Sequence, residues 1–297
     1  MRLSNLSESG CYLKKKAAEQ EQLVLKLEQS ASGKSVLSHR YMAYPLSVSP
    51  VFRLEESSEA RAYLYRMNTS PGLLAGDALK LSFELGAGSQ LYLADQAATK
   101  VHAMPTEDTQ ATVNYRIAVG DRAALEFLPE PLILFADSEL RQTTEIVLHE
   151  TSTLCWGEII LPGRLASGEA YKFRQCFSRV RIKSQAGTLW FTEAMRLRGQ
   201  KNLFAQNELF ASGQVIGTLL LVLPREIATK QALTDLSQSV DGLSHDDFEI
   251  VSSVLPQENG LFVRAVGSTT REMQRSFRAA VNATRILRGE ALLPYSV

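Results

Sequence analysis

Apolar and polar residues alternate along several stretches of the chain, and this pattern predicts β-strands. Apolar residues recur at every second position over 23–27, 79–85 and 113–119. Further short apolar runs follow at irregular spacing, over 91–93, 145–148, 180–183 and 189–191. Many short strands separated by glycine and proline indicate an all-β sandwich, barrel or solenoid rather than a fold of alternating strands and helices. No fixed sequence period is visible, so the sequence alone does not support a repeat array.

The stretch 156–169 (WGEIILPGRLASGE) places charge beside a short apolar run. The run 159–161 lies between a glycine and a Pro-Gly pair, which predicts a short buried strand entering a tight turn. Glu158 precedes the run, Arg164 follows the turn, and Glu169 closes a segment of small residues. The simplest interpretation is a strand and turn with solvated charges at its margins.

Two helices are expected near the C-terminus, at about 226–240 and 270–288. The apolar stripe of the second helix consists of Met273, Phe277, Ala280, Val281, Thr284 and Leu287. The opposite face is expected to carry Arg271, Arg275, Arg278 and Arg285. This arginine face is either a solvated helix surface or a docking surface for an acidic partner.

Composition is that of an ordinary globular protein, with 45% hydrophobic and 22% charged residues among 297. The 32 basic and 32 acidic residues cancel, so no overall charge favours nucleic acid or an anionic membrane. No window reaches the roughly 18 apolar residues of a membrane span. The polar segment 1–22 is interpreted as a flexible arm without a secretory signal, followed by a single domain over 23–297 that is β-rich over 23–224. A cytoplasmic location is expected.

Residues with catalytic or metal-binding potential are scattered. The histidines form no pair at zinc-binding spacing, and the cysteines Cys11, Cys155 and Cys176 form no closely spaced pair. Ser167 lacks the Gly-x-Ser-x-Gly frame of a nucleophile. The sequence therefore predicts a protein that is not an enzyme. Two alternatives stay open: a carbohydrate-active hydrolase that uses Glu158 and Glu169, and a non-catalytic binding module.

Five segments in order over roughly 63–200 carry a resemblance to a known family: 70–77 (SPGLLAGD), 96–101 (QAATKV), 128–133 (LPEPLI), 157–160 (GEII) with 163–169 (GRLASGE), and 193–197 (EAMRL). In these segments the chain resembles the urease accessory protein family UreD, also called UreH. Two segments depart from the family pattern. Segment 72–76 has fewer glycines than the usual turn, and 134–137 (LFAD) replaces the more usual Pro-Phe-Ala-Gly.

The resemblance implies a mainly β fold of distorted solenoid type, with helically layered sheets and two helices in the C-terminal half. It also implies a scaffolding chaperone that binds apo-urease, recruits UreF and, through it, the nickel-carrying GTPase UreG. A dimer within the accessory complex is a further expectation. No tightly bound cofactor is implied. Nickel is expected only in transit through the interior of the protein.

The resemblance also marks individual residues. It implies a transient nickel path at Asp77 and Glu169, because carboxylates hold a divalent cation weakly enough to release it. Supporting roles are implied for Lys100, Thr99, Arg164 and Ser167. The partner-binding residues expected to receive UreF are Arg271, Arg275 and Arg278. An alternative is that both carboxylates only satisfy turn amides, with Lys100 or Arg164 as their counter-charge.

Overall fold

The computed structural model describes residues 20–55, 59–199 and 214–294. Most of the expected arm, residues 1–19 with Cys11, therefore lies outside the described residues, and the division into an arm and a single domain stays a prediction. The described strands are β1 (Leu23–Gln29), β2 (Ser35–Met42), β3 (Leu46–Val48), β4 (Ala62–Asn68), β5 (Ala78–Leu85), β6 (Gln90–Asp95), β7 (Thr99–Val101), β8 (Ala111–Val119), β9 (Ala124–Leu128), β10 (Leu132–Leu134), β11 (Glu139–Leu148), β12 (Thr153–Leu161), β13 (Gln175–Ser184), β14 (Leu189–Leu197), β15 (Val215–Val222), β16 (Phe248–Val254) and β17 (Gly260–Gly267). The helices are α1 (Lys230–Asp241) and α2 (Thr270–Leu287), with a single 3₁₀ turn at Leu165–Ser167.

The strands form two sheets. Sheet A has the order β14-β13-β11-β8-β5-β1-β2, and sheet B has the order β16-β17-β15-β12-β9-β6-β4-β3, with β10 attached to β12 and β7. From β4 to β13 the longer strands alternate between the two sheets, and from β6 onward each pairs in parallel with the longer strand before it in its own sheet. Antiparallel strands close the ends of both sheets.

The inward faces of the two sheets form one hydrophobic core. Its strands contribute every second residue, so Leu25 and Phe83 of sheet A meet Leu93 and Phe127 of sheet B. The rings of Phe83 and Phe127 lie edge to face with centroids 5.8 Å apart. Sheet B is buried on both faces, and for this reason β15 is an unbroken apolar run except for Gly217 and Thr218.

Helices α1 and α2 cover the outer face of sheet B and form a third layer. Thr229 and Thr269 cap their N-termini by accepting the main-chain N–H of Ala232 and Glu272. The apolar stripe of α2 packs on β15 at Gly217, where the absence of a side chain leaves room for Met273 and Phe277. The predicted fold class, mainly β with two helices in the C-terminal half, is confirmed.

Two sequence interpretations were wrong in detail. The strand expected at 159–161 begins at Thr153, and Glu158 lies inside it with only 4% of its surface exposed, so it is not a marginal solvated charge. Arg285 is not on the exposed face of α2. It is four residues beyond Val281, at helical spacing along the apolar stripe, and it is completely buried against Glu126.

Candidate functional site

Sheet B has an interruption at β12. This strand pairs in parallel with β9 as far as Trp156 and with β10 from Ile160 onward. In the described part of the chain, neither parallel neighbour pairs with 157–159, and the segment 129–131 spans the interval. Two of its three residues are prolines, which cannot donate main-chain hydrogen bonds to the sheet. We call the interval between 129–131 and 157–159 the sheet opening.

Three cavities lie in a row through the sheet opening. The outer cavity, about 330 Å³, lies beneath α2 and is lined by Tyr92, Phe277 and Arg278 among others. It shares Asp95, Glu130 and Gly157 with the first inner cavity, of about 20 Å³. The second inner cavity, of about 30 Å³, shares its lining with the first at Arg66, Asp95, Tyr115, Leu132 and Gln142. Neighbouring voids with shared lining residues thus extend from the helix side of sheet B to the space between the sheets.

Glu158 is the carboxylate at the centre of this row. It extends from β12 into the space between the sheets, where it accepts hydrogen bonds from Ser178 Oγ (2.9 Å) and from the amide of Gln142. Burial raises the pKa of Glu158 to about 7, against the opposing effects of the Ser178 hydrogen bond and the charge of Arg264. Glu158 therefore exchanges a proton near neutral pH, unlike an exposed glutamate.

A second charged group lies beside it. Arg66 of β4 forms a bidentate ion pair with Asp95 of β6, with N–O distances of 2.6 and 2.7 Å. It also donates a hydrogen bond to Tyr115 Oη at 2.5 Å. Burial lowers the pKa of Arg66, but Asp95 and Tyr115 more than offset this and hold it above its usual range. The guanidinium also lies over the Tyr115 and Phe127 rings, each with its centroid 5.7 Å away. This ion pair places a charge of each sign along the row, with Asp95 in the lining of all three cavities and Arg66 in that of the two inner ones.

Glu130 is the carboxylate on the opposite side of the opening. It accepts a hydrogen bond from Gln274 of α2 at 2.9 Å. Burial raises the pKa of Glu130, and the Gln274 hydrogen bond opposes that rise. The mouth of the row therefore has an oxygen ligand supplied by the Pro-Glu-Pro segment and oriented by α2.

The predicted residues Thr99 and Lys100 lie in β7 of sheet B, and Asp77 lies in the turn that leads from Leu73, which pairs with β7, into β5 of sheet A. Asp77 accepts the main-chain N–H of Leu74 at 2.8 Å and so closes its own turn. The Lys100 side chain is exposed, while its carbonyl accepts the Leu73 N–H at 2.8 Å. Thr99 lines the second inner cavity. Gly72 is required here, because a Cβ atom would lie 2.4 Å from the Lys100 carbonyl oxygen.

Arg164 and Glu169 form an ion pair across the turn that follows β12. Arg164 Nε donates to Glu169 Oε2 at 2.7 Å, and its Nη2 contacts the other carboxylate oxygen. This hydrogen bond lowers the pKa of Glu169. The guanidinium is stacked on Phe135, and Ser167 lies in the intervening 3₁₀ turn. The geometry agrees with Arg164 as a counter-charge, and the role of Glu169 toward nickel stays a prediction.

The α2 arginines differ in environment. Arg271 and Arg275 are exposed, whereas Arg278 is half-buried and lines the outer cavity. Arg285 pairs with Glu126, which also contacts Arg61 and Arg288. Sequence reasoning missed this cluster and the Glu158 site. The signal was a lone carboxylate in each of two apolar strands, ALEFL of β9 and TLCWGEIIL of β12.

The described residues contain neither a metal-binding cluster nor a membrane-spanning helix. No cluster of three or more His, Cys, Asp or Glu side chains with metal-binding geometry occurs within 20–55, 59–199 and 214–294. Neither helix in those ranges has the length and apolar character that a membrane crossing demands.

Comparison with known proteins gives one family. The family model described as UreD urease accessory protein matches residues 19–295. A urease accessory protein UreD of Trichodesmium erythraeum is 43% identical over 273 residues, which are 92% of this chain and 97% of that protein. A urease accessory protein UreH of Helicobacter pylori is 27% identical over 226 residues, 76% of this chain and 83% of that protein. The chain therefore belongs to the UreD family of urease accessory proteins.

Proposed function

We propose that this chain is a non-catalytic scaffold of urease maturation, which binds apo-urease and the UreF and UreG accessory proteins and passes nickel toward the urease active site. Membership of the urease accessory family supports the role in maturation. The proposal includes a cytoplasmic location and a dimer within the accessory complex. Free thiols at Cys155 and Cys176 are usual for a reducing compartment and support that location.

The sheet opening is the observation that carries the nickel step. On this path a cation that enters the outer cavity meets Glu130 and Asp95 first and then Glu158, because Glu130 and Asp95 line both the outer and the first inner cavity and Glu158 lines the inner one. These carboxylates, with the oxygens of Tyr115, Gln142 and Ser178 behind them, offer a succession of oxygen ligands. Oxygen ligands without a thiolate or imidazole cage bind Ni²⁺ weakly enough for onward release.

Fixed charge along the row supports transit rather than retention. Asp95 is neutralised by Arg66, and Glu158 keeps a proton near neutral pH, so a nickel ion meets little net negative charge at either residue. Binding of the cation to Glu158 would displace this proton, and its departure would restore it. Binding and release of nickel at each residue therefore involve only a small free-energy change, which allows the ion to move on along the row.

Glu169 is proposed as a ligand beside the β7 and β10 edge of sheet B, and Asp77 as a ligand in the turn that joins this edge to β5 of sheet A. This edge would be held in place by Lys100, Thr99 and Ser167. Arg164 would stay paired with Glu169 until a cation takes the place of the arginine. The edge is continuous, because β7 pairs with β10 at Lys100 and Ile133, and Phe135 of the following turn contacts Arg164.

The experiment is maturation of urease with all other accessory proteins and with no copy of this chain, the wild type, Glu169→Gln or Arg164→Met. Urease activity and nickel per urease active site are measured for each. Both variants break the ion pair, but only Glu169→Gln removes the carboxylate. We expect nickel loading to need the chain, to fail with Glu169→Gln and to persist with Arg164→Met. Equal loading with and without the chain would refute the scaffold, and equal behaviour of the two variants would leave Glu169 only a structural role.

A further inference from the structure

The outer face of sheet A is strongly basic, although the chain as a whole carries no net charge. Side chains of β8, β11, β13 and β14 that alternate away from the core bring six cations together there: Arg116, Arg141, Arg179, Arg181, Lys183 and Arg196. We call this set the basic face. The cross-strand register places them in adjacent rows, for example Arg141 opposite Phe177 and Phe177 opposite Arg196.

Glu145 is the carboxylate in the middle of the basic face. It lies in register between Arg116 and Arg181. Its oxygens are 3.8, 3.7 and 3.5 Å from Arg179, Arg181 and Lys183, so three cations share one anion at the outer limit of ion-pair distance. At the margins, Lys26 pairs with Glu84 and Arg174 with Glu139, so those charges cancel. The six cations and Glu145 leave an uncompensated excess of positive charge.

The described helices do not cover this face, since α1 and α2 contact strands of sheet B. A shallow depression of about 470 Å³ adjoins it, and its lining includes apolar Val24, Ala118 and Val147 together with the carboxylates Glu21, Glu84 and Glu145. Val147 is 36% exposed. Arginines around a small apolar patch are typical of protein interfaces, in which arginine is enriched.

We propose that the basic face is the docking surface for an acidic surface of apo-urease. This inference rests on the proposed function, which supplies the partner. Positive charge spread over a flat sheet steers an oppositely charged protein and fixes its orientation. Two sheets separate the basic face from α2, so a partner there and another on α2 can be held at the same time. That arrangement is what a scaffold between urease and its nickel donor requires.

The same features argue against nucleic acid as the occupant. Phe177 is the aromatic residue within the basic face, and the guanidinium groups of Arg141 and Arg196 lie 4.7 and 5.9 Å from its centroid, so it is not free to stack on a base. Glu145 would repel a phosphate backbone at the centre of the patch. An acidic protein surface presents separate carboxylates, which can contact the surrounding cations without any of them lying opposite Glu145.

The test is binding of purified apo-urease at several salt concentrations to the wild type, to Arg116→Glu/Arg181→Glu and to the matched control Arg225→Glu/Lys230→Glu. The control reverses two exposed cations at and before the start of α1. We expect the first double variant to bind about tenfold or more weakly, and with a smaller salt dependence, while the control binds as the wild type does. Glu145→Gln serves as a second variant that removes the central carboxylate. It should bind at least as tightly as the wild type, which a merely unfolded protein could not do.

Three results would overturn the inference. The first is equal affinity of the Arg116→Glu/Arg181→Glu variant and its control. The second is weaker binding by Glu145→Gln. The third is loss of affinity for a labelled single-stranded RNA, with urease binding unchanged, which would assign the face to nucleic acid. If the wild type itself fails to bind apo-urease, the proposed function fails together with this surface.

Discussion

Arg285 of α2 and Glu126 of β9 form a two-fold ion pair, with N–O distances of 2.9 and 2.5 Å, in which neither side chain is exposed to solvent. Arg285 also donates to the Tyr63 hydroxyl and contacts Glu55. Burial raises the pKa of Glu126, but Arg61, Arg285 and Arg288 outweigh burial and lower it to about 2. These ion pairs hold the C-terminal end of α2 against β9, in the middle of sheet B.

Removal of one partner of this ion pair should therefore lower the stability of the fold strongly. Arg285→Ala leaves the Glu126 charge buried without its closest cation, and we expect a loss of about 3–5 kcal/mol in the free energy of unfolding. Urea denaturation followed by circular dichroism measures it. Arg271→Ala, on the exposed side of the same helix, is the control and should change stability little. Equal effects of the two substitutions would contradict the buried ion pair.

Packing of α2 on sheet B depends on Gly217. A Cβ atom at this position would lie 2.3 Å from Met273 Sδ and 2.7 Å from Phe277 Cζ. We expect Gly217→Ala to destabilise the fold by about 1–3 kcal/mol. Gly157→Ala is a milder substitution for comparison, because its Cβ atom would lie 3.2 Å from Leu128 Cδ2 and 3.4 Å from Phe277 Cδ2. Gly217→Ala should lower the thermal midpoint more than Gly157→Ala does, and an equal or smaller decrease would contradict the tight packing at Gly217.

Stability should depend on the protonation of Glu158. In the unfolded chain this carboxyl ionises at its ordinary pKa of 4.5, whereas burial raises the pKa in the folded protein to about 7. Between these values the unfolded chain loses the proton first, so the contribution of Glu158 to stability is present below pH 4.5 and is lost as pH rises toward 7. We expect the wild type to lose about 3 kcal/mol relative to Glu158→Gln over this range.

Unfolding of both proteins in urea at a series of pH values measures that difference. The Glu126 cluster acts in the opposite direction, since its lowered pKa stabilises the fold above pH 4.5 and this contribution is lost as pH falls toward 2. The cluster is common to both proteins and cancels in the comparison. Stability curves that stay parallel from pH 4.5 to pH 8 would show that Glu158 ionises normally in the fold.

The exposed arginines of α2 give a prediction about UreF. Charge reversal in Arg271→Glu/Arg275→Glu/Arg278→Glu should abolish co-purification with UreF, because all three cations are proposed to face it. Arg278 also lines the outer cavity, so the double variant Arg271→Glu/Arg275→Glu separates docking from cavity effects. Co-purification of the triple variant at the wild-type level would exclude this helix as the docking site.

Local patterns were sufficient to predict several strands and both helices, but they missed β16 and β17, which lie between the helices, and the buried charges. Alternation over 79–85 and 113–119 predicted β5 and β8, because each strand has one face in the core. The α1 boundary was placed four residues early, since the start of a helix is set by its cap, here Thr229. The mutual positions of β9, β12 and α2 depend on contacts between residues far apart in sequence.

In the candidate site, too, local patterns did not predict contacts between residues far apart in sequence. Asp77, Lys100, Arg164 and Glu169 came from the family resemblance, and they lie at turns and edges whose local motifs are recognisable. Glu158 was visible in the sequence but was assigned to solvent, because its strand was taken to begin after it. Its burial depends on Gln142 and Ser178, which reach it from another sheet. No pattern within one segment encodes that contact.

The most direct test of the central claim is the nickel content of urease matured with the wild type, with Glu158→Gln and with Glu193→Gln. Glu158→Gln keeps the shape of the side chain but removes the carboxyl group that would bind the cation, whereas Glu193 faces the interior from β14, pairs with Arg264 and does not line the three cavities. Passage through the sheet opening predicts that Glu158→Gln lowers nickel per urease active site toward the level found without the chain, while Glu193→Gln leaves it near the wild-type level. Full nickel loading by Glu158→Gln would contradict a path through this part of the protein.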